Sequence, residues 1–235
     1  MSAAPLVSVV IPVRNEAPNI APLVAEITAA LAGISHEIIY VDDGSTDTTP
    51  MELASLPAVR SLRHRFSCGQ SAAIITGVKA AHGVWIATLD GDGQNDPADI
   101  PGMLARAEAA GGWAMVAGHR VKRQDSWVKR RSSRLANGIR SALLRDATPD
   151  TGCGLKLFPR DLFLAMPHFD HMHRFLPALA LRAGATVLSE PVGHRPRTRG
   201  VSNYGTLDRL AVSVFDLIGV AWLQRRGKRP EIEEK

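Results

Sequence analysis

Apolar runs of strand length alternate with helix-length segments through the first half of the chain, and this alternation restricts the fold most strongly. Strands are predicted at residues 6–13, 36–41, 59–62 and 84–89, with a helical segment after each. Such an order is typical of a doubly wound parallel sheet with right-handed crossovers. With 235 residues and a 45% hydrophobic composition, the chain is long enough for one sizeable α/β domain.

Two aspartates, Asp90 and Asp92, follow the run at 84–89. They are expected just outside the carboxyl end of a strand, where ligands of open α/β sheets bind. Two carboxylates on an extended tip can turn toward one cation, and their hard oxygen ligands suit Mg²⁺ or Mn²⁺. The alternative interpretation is a plain acidic turn, in which Asp96 caps the next helix and Pro97 takes its first position.

A second acidic strand end is formed by Asp42 and Asp43. One of these carboxylates is expected to accept hydrogen bonds from a base or a ribose at the sheet edge. The alternative is a turn in which Thr46 or Asp47 caps a short helix. The chain contains neither a Gly-x-Gly-x-x-Gly after the first strand nor a Gly-x-x-x-x-Gly-Lys, which argues against a dinucleotide oxidoreductase and a P-loop enzyme.

Cations concentrate in residues 120–145 and 193–200, and the formal net charge of +5 indicates an anionic partner. Arginine is the better bidentate partner for phosphate, although a solvated basic face is the ordinary alternative. A nucleic-acid-binding module would need aromatic stacking platforms, and aromatics make up only 5% of the chain, so we expect no nucleic acid partner. A nucleotide-sugar donor with a phosphate-bearing acceptor accounts for the acidic strand ends and both arginine segments.

The last predicted element is a helix over residues 207–226, whose apolar stretch is interrupted by Asp208, Arg209 and Asp216. It is therefore too polar to span a bilayer. It either packs on the sheet or, as we favour, lies at a membrane surface with Trp222 and the following cations at headgroup level. We expect a domain over 1–205 and an amphipathic helix with a charged tail over 206–235. The chain has only two cysteines, and its first segment does not resemble a signal peptide. Together with the last helix, these features predict a cytoplasmic protein that is peripheral on the cytoplasmic face of the membrane.

The segments at 10–16, 41–47 and 89–97 resemble the nucleotide-sugar core of family 2 inverting glycosyltransferases. With Gly118-His119-Arg120 and the segments 150–154 and 194–204, the chain is more narrowly similar to the dolichyl-phosphate mannose synthase group and its bacterial polyprenyl-phosphate relatives. The resemblance covers about residues 6–205. It implies a GT-A fold with the nucleotide-sugar site at the strand carboxyl ends. It also implies metal-dependent, inverting transfer of a sugar from a GDP- or UDP-linked donor to a polyprenyl phosphate.

The resemblance also assigns roles residue by residue. Around the donor nucleotide it places Pro12, Arg14, Glu16, Asp42, Asp43, Asp90, Arg131, Ser133 and Ser202. The metal and the donor diphosphate would be held by Asp90, Asp92 and Gln94, and the groups expected at the reaction centre are Asp92, Arg120, Asp150 and Arg195. Arg120, the 129–133 segment and Arg195 would contact phosphates of donor and acceptor. In the last motif, closed by Ser202 and Tyr204, Asn203 stands where the family commonly has lysine.

The chemistry of the acceptor separates the remaining hypotheses. A polyprenyl phosphate is already anionic, so its oxygen can attack the anomeric carbon in line without a strong general base. A sugar hydroxyl acceptor would need such a base, and Asp150 is the one obvious candidate. Asp150 could instead orient the acceptor or a sugar hydroxyl, or form an Asx turn before Gly152. A non-catalytic relative that binds a nucleotide sugar is the third possibility.

Overall fold

The computed structural model describes residues 4–120, 138, 140–141, 143–196, 208–226 and 233. Within these ranges the strands are β1 (Val7–Val13), β2 (His36–Asp42), β3 (Val59–Arg63), β4 (Trp85–Thr88), β5 (Ala114–Arg120), β6 (Lys156–Pro159) and β7 (Thr186–Val192). The helices are α1 (Ala17–Ala30), α2 (Thr49–Ala54), α3 (Gln70–Ala80), α4 (Ile100–Ala109), α5 (Arg160–Leu164), α6 (Leu176–Arg182) and α7 (Asp208–Arg225).

The seven strands form one mixed sheet in the order β3-β2-β1-β4-β6-β5-β7. The strands β3, β2, β1 and β4 are parallel neighbours, and β5 pairs in parallel with β7. This confirms the predicted α/β class with a mostly parallel sheet, because the four predicted strands of the first half all lie side by side. Their carboxyl ends therefore meet at one edge of the sheet.

The strand β6 runs antiparallel to both of its neighbours, β4 and β5. A short apolar run has no feature that distinguishes a parallel from an antiparallel neighbour, so the sequence did not predict this inversion. Because of this inversion, β6 begins at the edge of the sheet where β4 ends, and the segment just before β6 lies at that edge. Thr88 Oγ1 donates a hydrogen bond to the Gly154 carbonyl at 2.7 Å, which joins the two segments directly.

Helices cover both faces of the sheet. The sheet therefore lies between two layers of hydrophobic core. On one face α1 and α4 bury their apolar stripes, and on the other α3 and α6 do so. The helix α3 approaches the sheet closely, since a Cβ added at Gly77 would overlap the Val10 side chain and lie 3.1 Å from Val41 Cγ2. Gly77 thus lets α3 rest directly on β1 and β2.

The sequence-based boundaries hold within a few residues for most elements, with one correction. The sequence predicts a single helix over about 171–183, whereas the structure has a 3₁₀ turn, Met172–Arg174, followed by α6. Phe175, between the two pieces, has φ −113° and ψ 8°, and Pro177 stands in the first turn of α6, where its missing N–H costs nothing. The helix α5 was not predicted, because five residues are too few to show a period.

From Val214 on, where its side chains are described, the last helix, α7, packs on α6 through one side. Gln224 Nε2 donates to the carbonyls of Leu144 and Ala178 at 2.9 and 3.1 Å, and Val220 and Ala221 are buried. The opposite side leaves Val214, Phe215, Ile218 and Trp222 exposed. Among the described residues, no helix has both the length and the apolar character needed to cross a bilayer.

Candidate functional site

Two loops, after β1 and after β2, are joined at the carboxyl edge of the sheet. Asn15, in the left-handed conformation at φ 57°, accepts a hydrogen bond from the Thr46 N–H at 2.8 Å. The Asn15 N–H donates to Ser45 Oγ at 2.9 Å, and the Asp43 N–H donates to the Val13 carbonyl at 2.8 Å. These bonds fix both loops on the rigid sheet, which is the arrangement that positions binding residues.

The two aspartates after β2 have different environments. Asp43 is buried and accepts bonds from four groups, namely His64 Nδ1, Ser67 Oγ and the backbone N–H groups of Cys68 and Gly69. Burial raises the pKa of Asp43, but these donors outweigh it and the net pKa lies below the ordinary value. Asp43 therefore organises the loop before α3.

Asp42 has one oxygen that accepts no hydrogen bond within the described residues, although it is ion-paired with Arg63. Its Oδ1 accepts from the Ser45 N–H at 2.8 Å, whereas its buried Oδ2 has no hydrogen-bond partner in the described part of the chain and lies 3.2 Å from Arg63 Nε. A buried carboxylate oxygen favours an additional donor, such as a base N–H. Of the two predicted donor-binding aspartates, the geometry favours Asp42.

The pair predicted to hold a metal lies at the end of β4. Asp90 Oδ1 accepts from Gln70 Nε2 at 3.0 Å, and Asp92 Oδ1 accepts from the Gln94 N–H at 3.1 Å. Burial and then the charge of Asp92 raise the pKa of Asp90 to about 6, against the opposing effect of Lys156. The ionised pair is thus held at an energetic cost that a bound dication would remove, so the residues present fit a divalent metal.

A cavity of about 180 Å³ opens beside Asp90. Its lining includes Gln70, Lys156, His173 and Arg174, so it is polar on several sides. Lys156 is buried, and its ammonium donates to the carbonyls of Thr151 (3.2 Å) and Cys153. Burial lowers the pKa of Lys156, while the nearby carboxylate of Asp90 opposes that effect. The cavity therefore offers donors and acceptors suited to a polyhydroxylated ligand.

Arg120 and Asp150 are paired with each other. The guanidinium donates through Nε to Oδ2 at 2.6 Å and through Nη2 to Oδ1 at 2.9 Å, which is a bidentate ion pair. The hydrogen bonds that Arg120 donates to Asp150 raise the pKa of Arg120, against the opposing effect of burial. Because both oxygens of Asp150 are occupied by the guanidinium, an orienting role for Asp150 is favoured over that of a general base.

Arg195 is engaged by two carboxylates. Its guanidinium forms ion pairs with Glu26 and Asp96, both at 2.7 Å, so in this structure it does not stand as a free phosphate ligand. Its backbone N–H donates to the Gln94 carbonyl at 2.9 Å, and Gln94 Nε2 donates to the Arg195 carbonyl at 3.3 Å. Arg195 and Gln94 thus join the loop after β7 to the Asp92 loop. A phosphate contact by Arg195 would have to displace a carboxylate.

The remaining described residues of the predicted donor site lie at the end of β1. Arg14 is exposed, whereas Glu16 is buried and accepts from Asn19 Nδ2 at 2.7 Å. Pro12 and Val13 border the Asp90 loop, since a Cβ added at Gly91 would overlap a Val13 methyl group and lie 3.2 Å from the Pro12 carbonyl oxygen. These positions join the Asp42 end of the edge to the Asp90 end.

Comparison with known proteins agrees with this geometry. The model of the family described as glycosyl transferase family 2 matches residues 8–165. The chain belongs to glycosyltransferase family 2. It is 34% identical over 95% of its length to dodecaprenyl-phosphate galacturonate synthase of Rhizobium johnstonii. It is 37% identical over 90% of its length to undecaprenyl-phosphate 4-deoxy-4-formamido-L-arabinose transferase of Enterobacter sp.. It spans 68% and 66% of these two relatives, or about two thirds of their length.

Solved structures show the same fold at lower identity. Glucosyl-3-phosphoglycerate synthase of Mycobacterium tuberculosis, in complex with Mn²⁺, UDP-glucose and phosphoglyceric acid, superposes with a TM-score of 0.66 at 19% identity. The match covers 94% of this chain and 79% of that one. Mannosyl-3-phosphoglycerate synthase of Rubrobacter xylanophilus gives a TM-score of 0.67 at 17% identity, over 98% and 77%. The GT-A fold implied by the sequence resemblance is confirmed.

Several predicted residues of this family 2 glycosyltransferase lie outside the described residues, namely Arg131, Ser133, Ser202 and the rest of the 129–133 and 201–204 segments. Conversely, sequence reasoning missed Lys156 and Gln70. Lys156 had a usable signal, because it is a single lysine between apolar residues of a short strand. Gln70 had none, since its contact with Asp90 joins residues twenty positions apart.

Proposed function

We propose that this family 2 glycosyltransferase transfers a sugar from a nucleotide sugar to a polyprenyl phosphate, with inversion at the anomeric carbon. The observation that carries the proposal is the Asp90–Asp92 pair, where burial and the charge of Asp92 raise the pKa of Asp90, at the edge that also contains the buried Asp42 oxygen without a hydrogen-bond donor among the described residues. The acceptor class is supported by the identity of 34–37% to relatives whose names specify dodecaprenyl or undecaprenyl phosphate.

The donor nucleotide is assigned to the edge between β2 and β4. Asp42 Oδ2 would accept a hydrogen bond from the base or the ribose, and Pro12, Arg14 and Glu16 would border the nucleotide along the end of β1. Both UDP- and GDP-linked donors satisfy this chemistry, because each base offers an N–H donor to a carboxylate.

The divalent cation, Mg²⁺ or Mn²⁺, is assigned to Asp90 and Asp92, with the Gln94 amide oxygen as a further candidate ligand. A bound dication would offset the negative charge that develops on the nucleoside diphosphate as it leaves. Gln70 holds the Asp90 carboxylate in place from α3, and the Gln94 N–H does the same for Asp92. The pair is therefore fixed before any ligand enters.

The donor sugar is assigned to the cavity beside Asp90, where Gln70, His173 and Arg174 lie within reach of its hydroxyl groups. The acceptor phosphate would approach from the side of Arg120. No general base is required, since a phosphate monoester is ionised at neutral pH, and this agrees with the bidentate pairing of Asp150 to Arg120. Asp150 then acts by holding the guanidinium that faces the acceptor.

A polyprenyl acceptor resides in a membrane, and the exposed side of α7 supplies a suitable contact. Val214, Phe215, Ile218 and Trp222 lie on one side of the helix, between one-half and three-quarters exposed. Arg226 stacks on Trp222 with its guanidinium carbon 5.7 Å from the ring centroid. An apolar strip followed by cations suits the interface of an anionic leaflet, so we assign the protein to the cytoplasmic face of the membrane as a peripheral protein.

The transfer reaction is tested with a panel of radiolabelled UDP- and GDP-sugars and a short polyprenyl phosphate. We expect label in the organic phase with Mg²⁺ or Mn²⁺, none after chelation, and none with Asp92→Asn. Asp161→Asn is the matched control, because this aspartate is exposed on α5 at the opposite edge. Organic-phase label that persists in Asp92→Asn would refute the metal assignment. Label only in a water-soluble product would refute the polyprenyl acceptor.

A further inference from the structure

A second group of metal-binding side chains lies on the described part of the chain, apart from the Asp90–Asp92 pair. Asp43, His64 and Cys68 each offer one ligand atom, and these oxygen, nitrogen and sulfur atoms all lie within 4.8 Å of one another. We propose that they form a binding site for a thiophilic divalent cation, with Zn²⁺ as the representative ion. The site does not depend on the proposed transferase activity.

Two loops bring these ligands together: Asp43 lies in the loop after β2, and His64 and Cys68 lie in the connection from β3 to α3. Asp43 follows β2 and His64 follows β3, and the parallel pairing of the two strands sets them side by side, with the His64 N–H donating to the Asp42 carbonyl at 2.9 Å. Cys68 is fixed by its own N–H, which donates to Asp43 Oδ1 at 2.8 Å. The backbone thus holds the ligand atoms in place before an ion arrives.

The donor set discriminates between metals. Thiolate and imidazole are softer ligands than carboxylate, and one of each with a single carboxylate oxygen suits Zn²⁺ rather than Mg²⁺. Zinc bonds of about 2.0 to 2.3 Å in a tetrahedron require ligand atoms roughly 3.3 to 3.8 Å apart. The ligand atoms lie within 4.8 Å of one another and His64 Nδ1 lies 2.7 Å from Asp43 Oδ1, so the side chains would have to move to reach this spacing. Three protein ligands leave the fourth position to water.

The surroundings provide orientation and access. His64 Nε2 lies 3.0 Å from the Thr76 hydroxyl on α3, which can donate or accept and so stabilises the imidazole whichever nitrogen carries the proton. His64 Nδ1 points at Asp43 Oδ1, 2.7 Å away, and an ion would replace the proton between them. Asp43 is buried, but Cys68 is exposed, so an ion can enter from solvent on the cysteine side.

Occupancy of this site would act on the catalytic edge through a short link. The Gly69 N–H donates to Asp43 Oδ2 at 2.9 Å, and the next residue, Gln70, donates to Asp90. An ion bound to Asp43, His64 and Cys68 therefore ties down the loop that positions Gln70. An effect on sugar transfer would follow from ion binding, and the experiment below measures ion binding directly.

The test uses Co²⁺ as a spectroscopic substitute for Zn²⁺ on the full-length, metal-free protein. We expect a near-ultraviolet thiolate-to-cobalt charge-transfer band that saturates at one ion per chain and disappears when Zn²⁺ is added. Cys68→Ser should abolish the band and weaken Zn²⁺ binding by more than the roughly tenfold to hundredfold cost of losing an outer-shell partner. Because Cys68 is exposed, this variant is expected to fold normally.

Two controls separate this site from the others. Cys153→Ala removes the buried cysteine at the catalytic edge and should leave the band unchanged. Asp92→Asn should also leave it unchanged, since the carboxylate pair supplies no sulfur ligand. A band that survives in Cys68→Ser, or a titration of the unmodified protein that shows no thiolate band, overturns the proposal. Either result would leave the transferase proposal intact, because that is measured by product formation with Mg²⁺ or Mn²⁺.

Discussion

Replacement of Asp90 by asparagine should stabilise the metal-free protein while removing its activity. The folded protein raises the pKa of Asp90 from 3.8 to about 6, through burial and the charge of Asp92. The folded state therefore holds a proton that the unfolded state releases between these pH values, and stability falls as the pH rises from about 4 to about 6. Above pH 6 the accumulated cost is about 3 kcal/mol, because one pKa unit corresponds to about 1.4 kcal/mol.

Asparagine avoids this cost because it is neutral at every pH and its amide oxygen can still accept the bond from Gln70. We expect urea unfolding in the presence of a chelator at pH 7.5 to show Asp90→Asn more stable than the unmodified protein by about 2 to 3 kcal/mol. The difference should shrink toward zero near pH 4. Addition of Mn²⁺ should stabilise the unmodified protein and leave the variant unaffected.

The matched control lies in the same loop. Burial raises the pKa of Asp96, but bonds from the Ala98 N–H and Arg195 outweigh it, so the net pKa is lowered. Asp96→Asn should therefore lose stability at pH 7.5, in the direction opposite to Asp90→Asn. If Asp90→Asn proved neutral or destabilising at pH 7.5 without metal, the conclusion that the fold holds this carboxylate at a cost would be refuted.

Three further substitutions test the packing of the fold and the site. Gly77→Ala should lose about 1 to 3 kcal/mol in urea unfolding, since its Cβ would overlap a β1 side chain, while Gly102→Ala, with open space around it on α4, should be neutral or stabilising. Gly154→Ala would overlap the Asp90 carboxylate and should lower the transfer rate at least about a hundredfold, with far-ultraviolet circular dichroism unchanged. Arg140→Leu leaves the fully buried Asp146 without its cation and should cost about 3 to 5 kcal/mol, whereas Arg140→Lys should cost clearly less; equal losses would refute the role of that charge.

The first half of the fold was predictable from the sequence because local signals agree there. Buried apolar runs, helical periodicity and the cap at Asp96, whose carboxylate accepts from the Ala98 N–H at 3.0 Å, all indicated the elements that the structure contains. The acidic strand ends were predictable for the same reason. A parallel sheet places every carboxyl end at one edge, so their convergence follows from the alternation alone.

The second half was less predictable because its decisive contacts join distant residues. The antiparallel direction of β6 depends on the neighbours it meets, and the split before α6 depends on how Phe175 enters the core. The charge pairs were equally hidden: nothing in the sequence indicates that Arg195 reaches Glu26 across 169 positions or that Arg120 pairs with Asp150. A basic residue in a motif shows its charge but not its partner.

Because β6 is inverted, the site is built from two separate parts of the sequence. The β1, β2 and β4 ends that we assign to the donor all lie within the first 100 residues, whereas the 150–154 segment reaches the same edge from the later part of the chain. The two groups are joined by the β4–β6 ladder and by the bond from Thr88 to the Gly154 carbonyl, and the loop after β7 adds the salt bridges of Arg195. Exchange of segments after residue 120 between homologues is therefore expected to change the acceptor and the sugar, which His173 and Arg174 would contact, while the preference for the nucleotide is inherited from the earlier strands.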